Sequence, residues 1–345
     1  MSRIISNDKF SKPALYAEKE KNNAVKCRLC PHNCLIQVNH YGICKVRQNI
    51  NGDLFTTAYG NPCSVSIDPI EKKPLYHFLP GTEIFSLATA GCNFHCLNCQ
   101  NYTISQFAPE DLRHYNIPPE NIVEQAIHLH QKSIAFTYTE PTVFYEYMLD
   151  IAKLARKEGL KTVMVTNGFI NPEPLNELCS YLDAANIDLK SMDDNIYRKL
   201  TGGKLQPVLD TILALNERNV WVEITHLLIP GFTDNERNID ALCMWMLDNK
   251  LDDVPLHFSR FFPNYKLKNT PPTSLDSLLQ AEKIASNAGI KHIYTGNISG
   301  LKSENTYCPN CGKLLIQRQG YKIAGNFIKN GKCPECDEKI AGIWE

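Results

Sequence analysis

The sequence predicts an α/β protein built on an incomplete (β/α)6 TIM-like barrel, with a small Cys-rich segment before it and a zinc ribbon after it. Between positions 84 and 297, short apolar runs alternate with helical stretches, which is the pattern of a parallel sheet covered by helices. Cysteines cluster near both ends of the 345-residue chain. This length suits one large domain with appendages, so we expect segments at 1–80, 81–300 and 301–345.

The alternating region contains short apolar runs, separated by turn residues, that are candidate strands. They cover residues 84–88, 133–138, 162–165, 185–189, 220–229, 255–261 and 292–295. Stretches with helical periodicity lie between them. They cover residues 118–131, 142–158, 172–182, 207–218, 234–248 and 274–288. In such barrels the chemistry lies at the C-terminal ends of the strands, so residues directly after each run are the first to consider.

Composition and charge exclude several classes of protein. The formal net charge is −1, which argues against a dominant nucleic-acid or membrane electrostatic footprint. No apolar run of about 18 residues is present, so we expect no membrane span. Residues 1–21 are polar and lack the apolar middle of a signal peptide. We therefore expect a cytoplasmic, reducing location, where paired cysteines serve as metal ligands rather than disulfides.

Three cysteines follow the first predicted strand at CxxxCxxC spacing: Cys92, Cys96 and Cys99. Three thiolates can hold three irons of a [4Fe–4S] cube, and nothing nearby in the sequence supplies a fourth ligand. The remaining iron is then open and can chelate the amino and carboxylate groups of S-adenosylmethionine (SAM). The alternatives are a half-built zinc site and three unrelated thiols, but this spacing is unusual for zinc.

Two further cysteine groups predict metal sites. The C-terminal group consists of two CPxC pairs, which are typical of a four-thiolate zinc ribbon; a rubredoxin-like single iron is the alternative. Its members are Cys308, Cys311, Cys333 and Cys336. The N-terminal group has CxxCxxxCx9C spacing and could bind zinc or a second cluster. Its members are Cys27, Cys30, Cys34 and Cys44. Cys179 and Cys243 lie inside apolar helical patterns and are expected to be plain buried residues.

Several stretches together resemble one family, the radical SAM member of the AmmeMemoRadiSam system, which is related to pyruvate formate-lyase activating enzymes. The resemblance covers most of the chain, whereas the activating enzymes match only its middle portion. The matching stretches are 27–34 (CRLCPHNC), 68–77 (DPIEKKPLYH), 90–101 (AGCNFHCLNCQN), 136–142 (FTYTEPT), 165–169 (VTNGF), 186–190 (NIDLK), 255–261 (PLHFSRF) and the terminal ribbon.

The resemblance implies a radical SAM barrel, a [4Fe–4S] cluster on the CxxxCxxC cysteines, and a set of SAM contacts. Those implied contacts are Glu140, Asn167, Asp188, Lys190 and His257. Four of the five have a structural alternative: Glu140 as a helix-start acid, Asp188 and Lys190 as a buried ion pair, and His257 as a core histidine.

The sequence departs from the activases at several positions. Asn98 stands where an aromatic residue packs on adenine, and Val165 where an aspartate helps to hold a monovalent cation. Glu223 and Thr225 lie on the strand that carries an arginine toward SAM. These departures weaken the prediction of glycyl-radical activation in particular, without weakening that of SAM cleavage.

The predicted function is that of an oxidoreductase-type radical SAM enzyme that takes electrons from ferredoxin or flavodoxin. Its SAM-derived radical would abstract hydrogen from a protein glycine, as in activases, or from another peptide or small molecule handled with the companion proteins of the AmmeMemoRadiSam system. Two rival classes are a non-catalytic iron–sulfur electron carrier and a zinc-ribbon nucleic-acid module. Weak basic charge argues against nucleic acid as a partner.

Overall fold

The computed structural model describes residues 11–112, 115–298 and 300–345. Residues 1–10, which begin the predicted Cys-rich segment, lie outside the described residues. The rest of that segment starts with two small antiparallel sheets, ordered β1-β6-β5 and β2-β3-β4. Their strands are β1 (Lys12–Pro13), β2 (Ala17–Lys19), β3 (Val25–Cys27), β4 (Leu35–Ile36), β5 (Arg47–Ile50) and β6 (Asp53–Thr56). Because Cys27 ends β3 and donates its backbone N–H to the Cys34 carbonyl at 2.9 Å, two N-terminal cysteines are fixed by backbone pairing.

An eight-stranded sheet forms the centre of the molecule, in the spatial order β14-β13-β12-β11-β10-β9-β8-β7. Its strands are β7 (Ser64–Pro69), β8 (Glu83–Ala88), β9 (Ser133–Phe136), β10 (Lys161–Thr166), β11 (Ala184–Asp188), β12 (Trp221–Leu228), β13 (Leu256–Arg260) and β14 (Ile293–Gly296). Strands β8 to β14 are parallel, and β7 is antiparallel to β8. Every residue of β9 is buried, as expected for a parallel strand covered on both faces.

Each of the seven candidate strands overlaps one of the seven parallel strands, so the sheet has one parallel strand more than the six of the predicted barrel. Strand β7 was missed because Ser64–Pro69 alternates polar and apolar residues and ends in Asp-Pro. Most of its side chains remain accessible at the sheet edge, so no apolar run marks it. Although β7 lies within the predicted segment 1–80, it belongs to the central sheet.

Eight α-helices accompany the strands in the described residues. They are α1 (Tyr102–Ser105), α2 (Pro119–His128), α3 (Tyr145–Lys157), α4 (Pro172–Cys179), α5 (Asp194–Thr201), α6 (Gln206–Glu217), α7 (Glu236–Asp248) and α8 (Leu275–Ala288). Six of them match predicted helices, whereas α1 and α5 were not predicted. Helix α5 is short and highly charged, but the Asp193 side chain caps its first backbone amides and Gly202 ends it in the left-handed conformation. None of the helices in the described part of the chain is long and apolar enough to cross a membrane.

Residues 70–79, here called the plug segment, pack on one face of the central sheet. Ile70, Leu75 and Phe78 are fully buried and form one apolar cluster with Ala135, Val163 and Ala184 of strands β9 to β11. These strand residues lie in the N-terminal or middle part of their strands. Because side chains alternate between faces, Ala184 and Asp188 of β11 share this face. An apolar layer therefore lies below the C-terminal strand ends on the same face.

The last part of the chain is a small antiparallel sheet, ordered β15-β16-β17, that docks on the plug segment. Its strands are β15 (Thr306–Tyr307), β16 (Leu314–Gln319) and β17 (Lys322–Asn326). The buried Arg318 guanidinium donates to the Tyr76 carbonyl at 2.8 Å. The backbone of Ile343 exchanges hydrogen bonds of 2.7 Å with His77 and Leu79. On the side of edge strand β14, Tyr294 hydrogen-bonds His77 at 2.5 Å, so plug and ribbon lie against that edge together.

Candidate active site

A cavity of about 840 Å³ lies at the C-terminal ends of the parallel strands. Every strand from β8 to β14 supplies lining residues at or just after its end. One from each, in chain order, is Cys92, Thr139, Asn167, Asp188, Leu227, Ser259 and Gly296. The volume lies within the range of about 300–1,000 Å³ that is common for small-molecule sites. Cys96, Cys99, Glu140, Lys190 and His257 line the same cavity, so the structure brings the predicted cluster cysteines and all five predicted SAM contacts together.

The CxxxCxxC loop follows β8 and is held by backbone contacts. A Cβ atom on Gly91 would lie 2.3 Å from Val46 Cγ2 and 2.7 Å from the Cys44 carbonyl, so only glycine fits at this close approach. The amides of His95 and Leu97 donate to the carbonyls of Thr201 and Leu200 at 2.8 and 2.9 Å. Thus α5, one of the two helices that the sequence did not predict, positions this loop.

The three thiols of the loop fit an iron–sulfur cube better than a single metal ion. Their three sulfurs do not all lie within 4.8 Å of one another. His95, between the cysteines, is exposed and hydrogen-bonds Gln106 at 2.8 Å, so it does not line the cavity. The loop therefore offers three separated thiolates and no fourth ligand, as an open-iron cluster requires.

Burial keeps the Cys92 and Cys96 thiols neutral in the absence of a bound metal. Desolvation raises the pKa of Cys92 well above its usual value, and the Glu140 carboxylate adds to the effect. Burial also raises the pKa of Cys96 to about 12, against the opposing charge of Lys190. A cationic iron centre would supply the positive charge that ionises them.

Glu140 is 2% exposed and begins the short 3-10 helix Pro141–Phe144. One carboxylate oxygen accepts from the Thr142 amide and hydroxyl at 3.0 and 2.7 Å and from the Thr166 hydroxyl at 2.6 Å. The other accepts from the Asn167 amide at 2.8 Å. Burial raises the pKa of Glu140 in spite of these donors. Since a carboxylate has about four acceptor sites, its direct contact with SAM stays a prediction.

Asn167 connects this carboxylate to the cysteine loop. Its Nδ2 atom donates to Asn93 Oδ1 at 2.8 Å and lies 4.0 Å from the Cys92 sulfur. Its Oδ1 atom accepts from the Phe169 amide at 2.9 Å. The side-chain amide is thus already oriented at the wall of the cavity next to the first cysteine.

Asp188 and Lys190 form an ion pair of 2.8 Å near the second cysteine of the loop. Their side chains are 35% and 19% exposed, which leaves part of each accessible from the cavity. Burial lowers the pKa of Lys190, but Asp188 and the Cys96 sulfur outweigh it, so that the pKa is raised. A lysine that stays protonated here can bind a carboxylate or the cluster sulfurs.

His257 is held by Glu223 of the neighbouring strand, with 2.6 Å between Nε2 and the carboxylate. Its ring packs edge-on against Tyr76 of the plug segment and stacks on Tyr294. Glu223 also accepts from the Tyr76 and His77 amides at 2.9 and 2.8 Å and from Trp221 Nε1 at 3.1 Å. Glu223, noted in the sequence only as a departure, therefore attaches the plug segment to the sheet.

A second buried polar group was missed by sequence reasoning. Asp68, at 4% exposure, accepts from Lys73 at 2.6 Å, from Lys72 at 2.7 Å and from the Tyr138 hydroxyl. Tyr138 has φ = 64°, a left-handed conformation that is uncommon for a tyrosine. It lies in the stretch 136–142 that carries part of the family resemblance, so that stretch was the available signal.

The C-terminal cysteines form a compact four-sulfur site. The sulfurs of Cys308 and Cys336 are 3.6 Å apart, and those of Cys311 and Cys333 are 3.7 Å apart. All four ligand atoms lie within 4.8 Å of one another. This arrangement suits one tetrahedral metal ion with metal–sulfur bonds of about 2.3 Å.

The N-terminal cysteines surround a separate, small cavity beside the active site. Cys27, Cys30, Cys34 and Cys44 all line it, together with His32 and Arg47. In contrast to the four C-terminal sulfurs, no three of these sulfurs all lie within 4.8 Å of one another.

Comparison with known proteins gives four findings. The profile described as the Radical SAM superfamily matches residues 86–243. The uncharacterized protein MJ0808 of Methanocaldococcus jannaschii is 46% identical over 329 residues, covering 95% of this chain and 98% of that protein. The pyruvate formate-lyase 1-activating enzyme of Escherichia coli is 24% identical over 222 residues, covering 59% of this chain and 89% of that enzyme. A solved radical SAM methyltransferase from Sphaerobacter thermophilus is 14% identical, covers 69% of this chain and 71% of its own, and superposes with a TM-score of 0.49.

Proposed function

Since this chain belongs to the radical SAM superfamily, we propose that it cleaves SAM reductively at a [4Fe–4S] cluster held by Cys92, Cys96 and Cys99. When bound, the cluster and SAM supply a 5′-deoxyadenosyl radical, which abstracts a hydrogen atom from the substrate. One observation carries the proposal: three separated thiols with no fourth ligand in their loop open into a cavity lined by every parallel strand end. The central sheet serves as the incomplete barrel of this family.

The surrounding side chains bind and orient SAM in this proposal. Glu140 fixes the turn after β9 and the start of the segment after β10, through its bonds to Thr142 and Asn167. Lys190, kept protonated by Asp188, offers a cation to a carboxylate in the cavity. His257 is held in one orientation by Glu223 and borders the deeper part of the cavity. The buried walls exclude water from the radical.

We infer that the substrate is a small polar molecule or a short peptide, handled with the companion proteins of the AmmeMemoRadiSam system. The plug segment and the ribbon lie against edge strand β14, and Glu71, Tyr76 and Tyr321 from these two parts line the cavity. A folded protein would therefore have to deliver its glycine through the remaining opening at the strand ends. The homology to activating enzymes keeps the protein glycine as the second candidate.

Formation of 5′-deoxyadenosine tests SAM cleavage directly. The reconstituted protein, reduced with dithionite under anaerobic conditions, should release 5′-deoxyadenosine and methionine. Cys96→Ser should abolish this release while the metal of the C-terminal site remains bound, and Cys179→Ser, outside all three cysteine groups, should behave as wild type. Wild-type rates in Cys96→Ser would refute the proposal.

The substrate class is tested by adding fractions of a cell extract to the same assay. The low-molecular-mass fraction should stimulate formation of 5′-deoxyadenosine above the uncoupled rate. Stimulation by the protein fraction alone would favour the glycine of a partner enzyme. A physiological electron donor, ferredoxin or flavodoxin, should replace dithionite.

A further inference from the structure

We propose that Cys27, Cys30, Cys34 and Cys44 hold a second [4Fe–4S] cluster, with one thiolate on each iron. From the sequence alone, these four cysteines could bind either zinc or a cluster, and the arrangement of their sulfurs distinguishes the two. The inference goes beyond SAM cleavage and depends on different residues from those of the proposed active site.

The separation of the sulfurs argues against a single ion. The C-terminal site shows how this chain arranges four thiols for one ion, with sulfur pairs 3.6 and 3.7 Å apart. The four C-terminal sulfurs all lie within 4.8 Å of one another, whereas no three of the N-terminal sulfurs do. In a cube each thiolate binds a different iron, so the sulfurs stand farther apart than around one tetrahedral ion. The three thiols of the Cys92–Cys99 loop likewise do not all lie within 4.8 Å of one another.

The four thiols share one small cavity. Its volume is about 20 Å³, and all four cysteines line it. Apart from the cysteines, its walls include the apolar side chains of Leu29, Ile36 and Val143. The thiols therefore face one common site bordered by apolar groups, which would limit the access of water to a metal centre bonded to them.

Arg47 supplies an independent sign of such a centre. Its side chain lines the cavity and is 1% exposed. Nη2 donates to Glu146 at 2.8 Å and to the Leu15 carbonyl at 2.5 Å, whereas Nε and Nη1 have no hydrogen-bond partner. Buried donors are almost always satisfied. The sulfides and thiolates of an anionic cluster are acceptors that would satisfy them.

Backbone amides lie near the sulfurs. The N–H groups of His32, Ile43 and Val46 are next to the thiols of Cys30, Cys34 and Cys44 respectively, and their dipoles favour a negative charge on those sulfurs. N–H groups near the sulfurs of a cluster tune its potential.

The second cluster would lie directly against the first. The carbonyl of Cys44 lies 2.7 Å from where a Gly91 Cβ would be, and Gly91 precedes the first cysteine of the active-site loop. His32 Nε2 hydrogen-bonds the Asn93 carbonyl in that loop at 2.7 Å. Ligation by four cysteines leaves no iron open for SAM, so this cluster can exchange electrons but cannot chelate the substrate.

Iron counting on the full-length protein provides the test. After anaerobic reconstitution, we expect about eight irons and about eight sulfides per chain, four of each in every cluster. The triple variant Cys92→Ala/Cys96→Ala/Cys99→Ala, which leaves the proposed site intact, should keep about four irons with a [4Fe–4S] Mössbauer spectrum. A triple variant without iron that instead binds a second zinc would overturn the inference.

A second pair of variants removes the proposed ligands themselves. Cys30→Ala/Cys34→Ala should lose about half of the iron, and the remaining cluster should still change its EPR spectrum when SAM is added. Cys179→Ala is the matched control and should retain all iron. Unchanged iron in the double variant would refute the second cluster. If the triple variant keeps its cluster but wild type does not cleave SAM, the proposed function fails and the second cluster stands.

Discussion

Replacing Glu223 by glutamine should release the plug segment from the central sheet. Oε1 accepts from the His77 amide and the Trp221 indole, and Oε2 accepts from the Tyr76 amide and His257 Nε2. Glutamine replaces one of these oxygens by an NH2 group, which cannot accept. With the NH2 group in the place of Oε1, the His77 amide and the Trp221 indole lose their acceptor; in the place of Oε2, the Tyr76 amide loses its acceptor, while His257 Nε2 can accept from the new amide in its other tautomer.

The size of the effect follows from this geometry. Glu223 is fully buried, and an unsatisfied buried donor costs about 1–3 kcal/mol, so one or two donors cost roughly 1–6 kcal/mol. At the lower limit of about 1 kcal/mol, local opening becomes about 5-fold more frequent, since about 1.4 kcal/mol corresponds to a factor of ten.

Hydrogen exchange measured by mass spectrometry reports this opening directly. Amides in peptides covering residues 74–80 should exchange at least about 5-fold faster in Glu223→Gln, while peptides covering α3 remain unchanged. Glu217→Gln, the same substitution on the exposed end of α6, is the matched control. Unchanged exchange at residues 74–80 in Glu223→Gln would refute the role assigned to this carboxylate.

Three further predictions concern other parts of the molecule. Glu140→Ala should weaken SAM binding by about 1.5–3 kcal/mol, measured by EPR titration, and should leave the cluster in place; a shift in melting temperature alone would show a purely structural role. Cys311→Ala should remove zinc from the ribbon, as measured by elemental analysis, while the iron content stays constant; iron as the sole metal of the wild-type ribbon would contradict the zinc assignment. Burial lowers the pKa of His292 to about 4, so the unfolded chain binds this proton first and stability falls as pH drops from about 6.5 towards 4. By pH 5 the loss from this residue is about 2 kcal/mol, and His292→Gln should remove that part of the slope in denaturant unfolding; equal slopes would contradict it.

The parallel strands were predictable because both faces of the sheet are covered, which makes runs such as Ser133–Phe136 continuously buried. The cysteine loop was predictable because its three ligands lie within eight residues of one another in the sequence. Strand β7 was not predictable, since an edge strand needs no apolar run. Helix α5 was hidden by its charges, although Asp193 and Gly202 gave cap signals at both ends.

Contacts between distant segments explain what the sequence could not provide at the site. Glu140 was expected at the cavity wall, but two of its four donors could be identified only in the structure, since Thr166 and Asn167 lie 26 and 27 residues away. The pairing of His257 with Glu223 depends on the register of β13 beside β12. The same holds for Asp68 and Tyr138, which are 70 residues apart.

The docking of the ribbon on the plug segment also has a consequence for synthesis on the ribosome. The His77 side chain hydrogen-bonds the Ala341 carbonyl at 2.6 Å, across 264 residues of sequence. At roughly 5–20 residues per second, position 341 is translated about 10–50 s after position 77. Throughout that interval the apolar side chains of Ile70, Leu75 and Phe78 have a nascent sheet to pack on but no ribbon to cover them. The nascent chain should therefore be a client of ribosome-associated chaperones until its final segment has emerged.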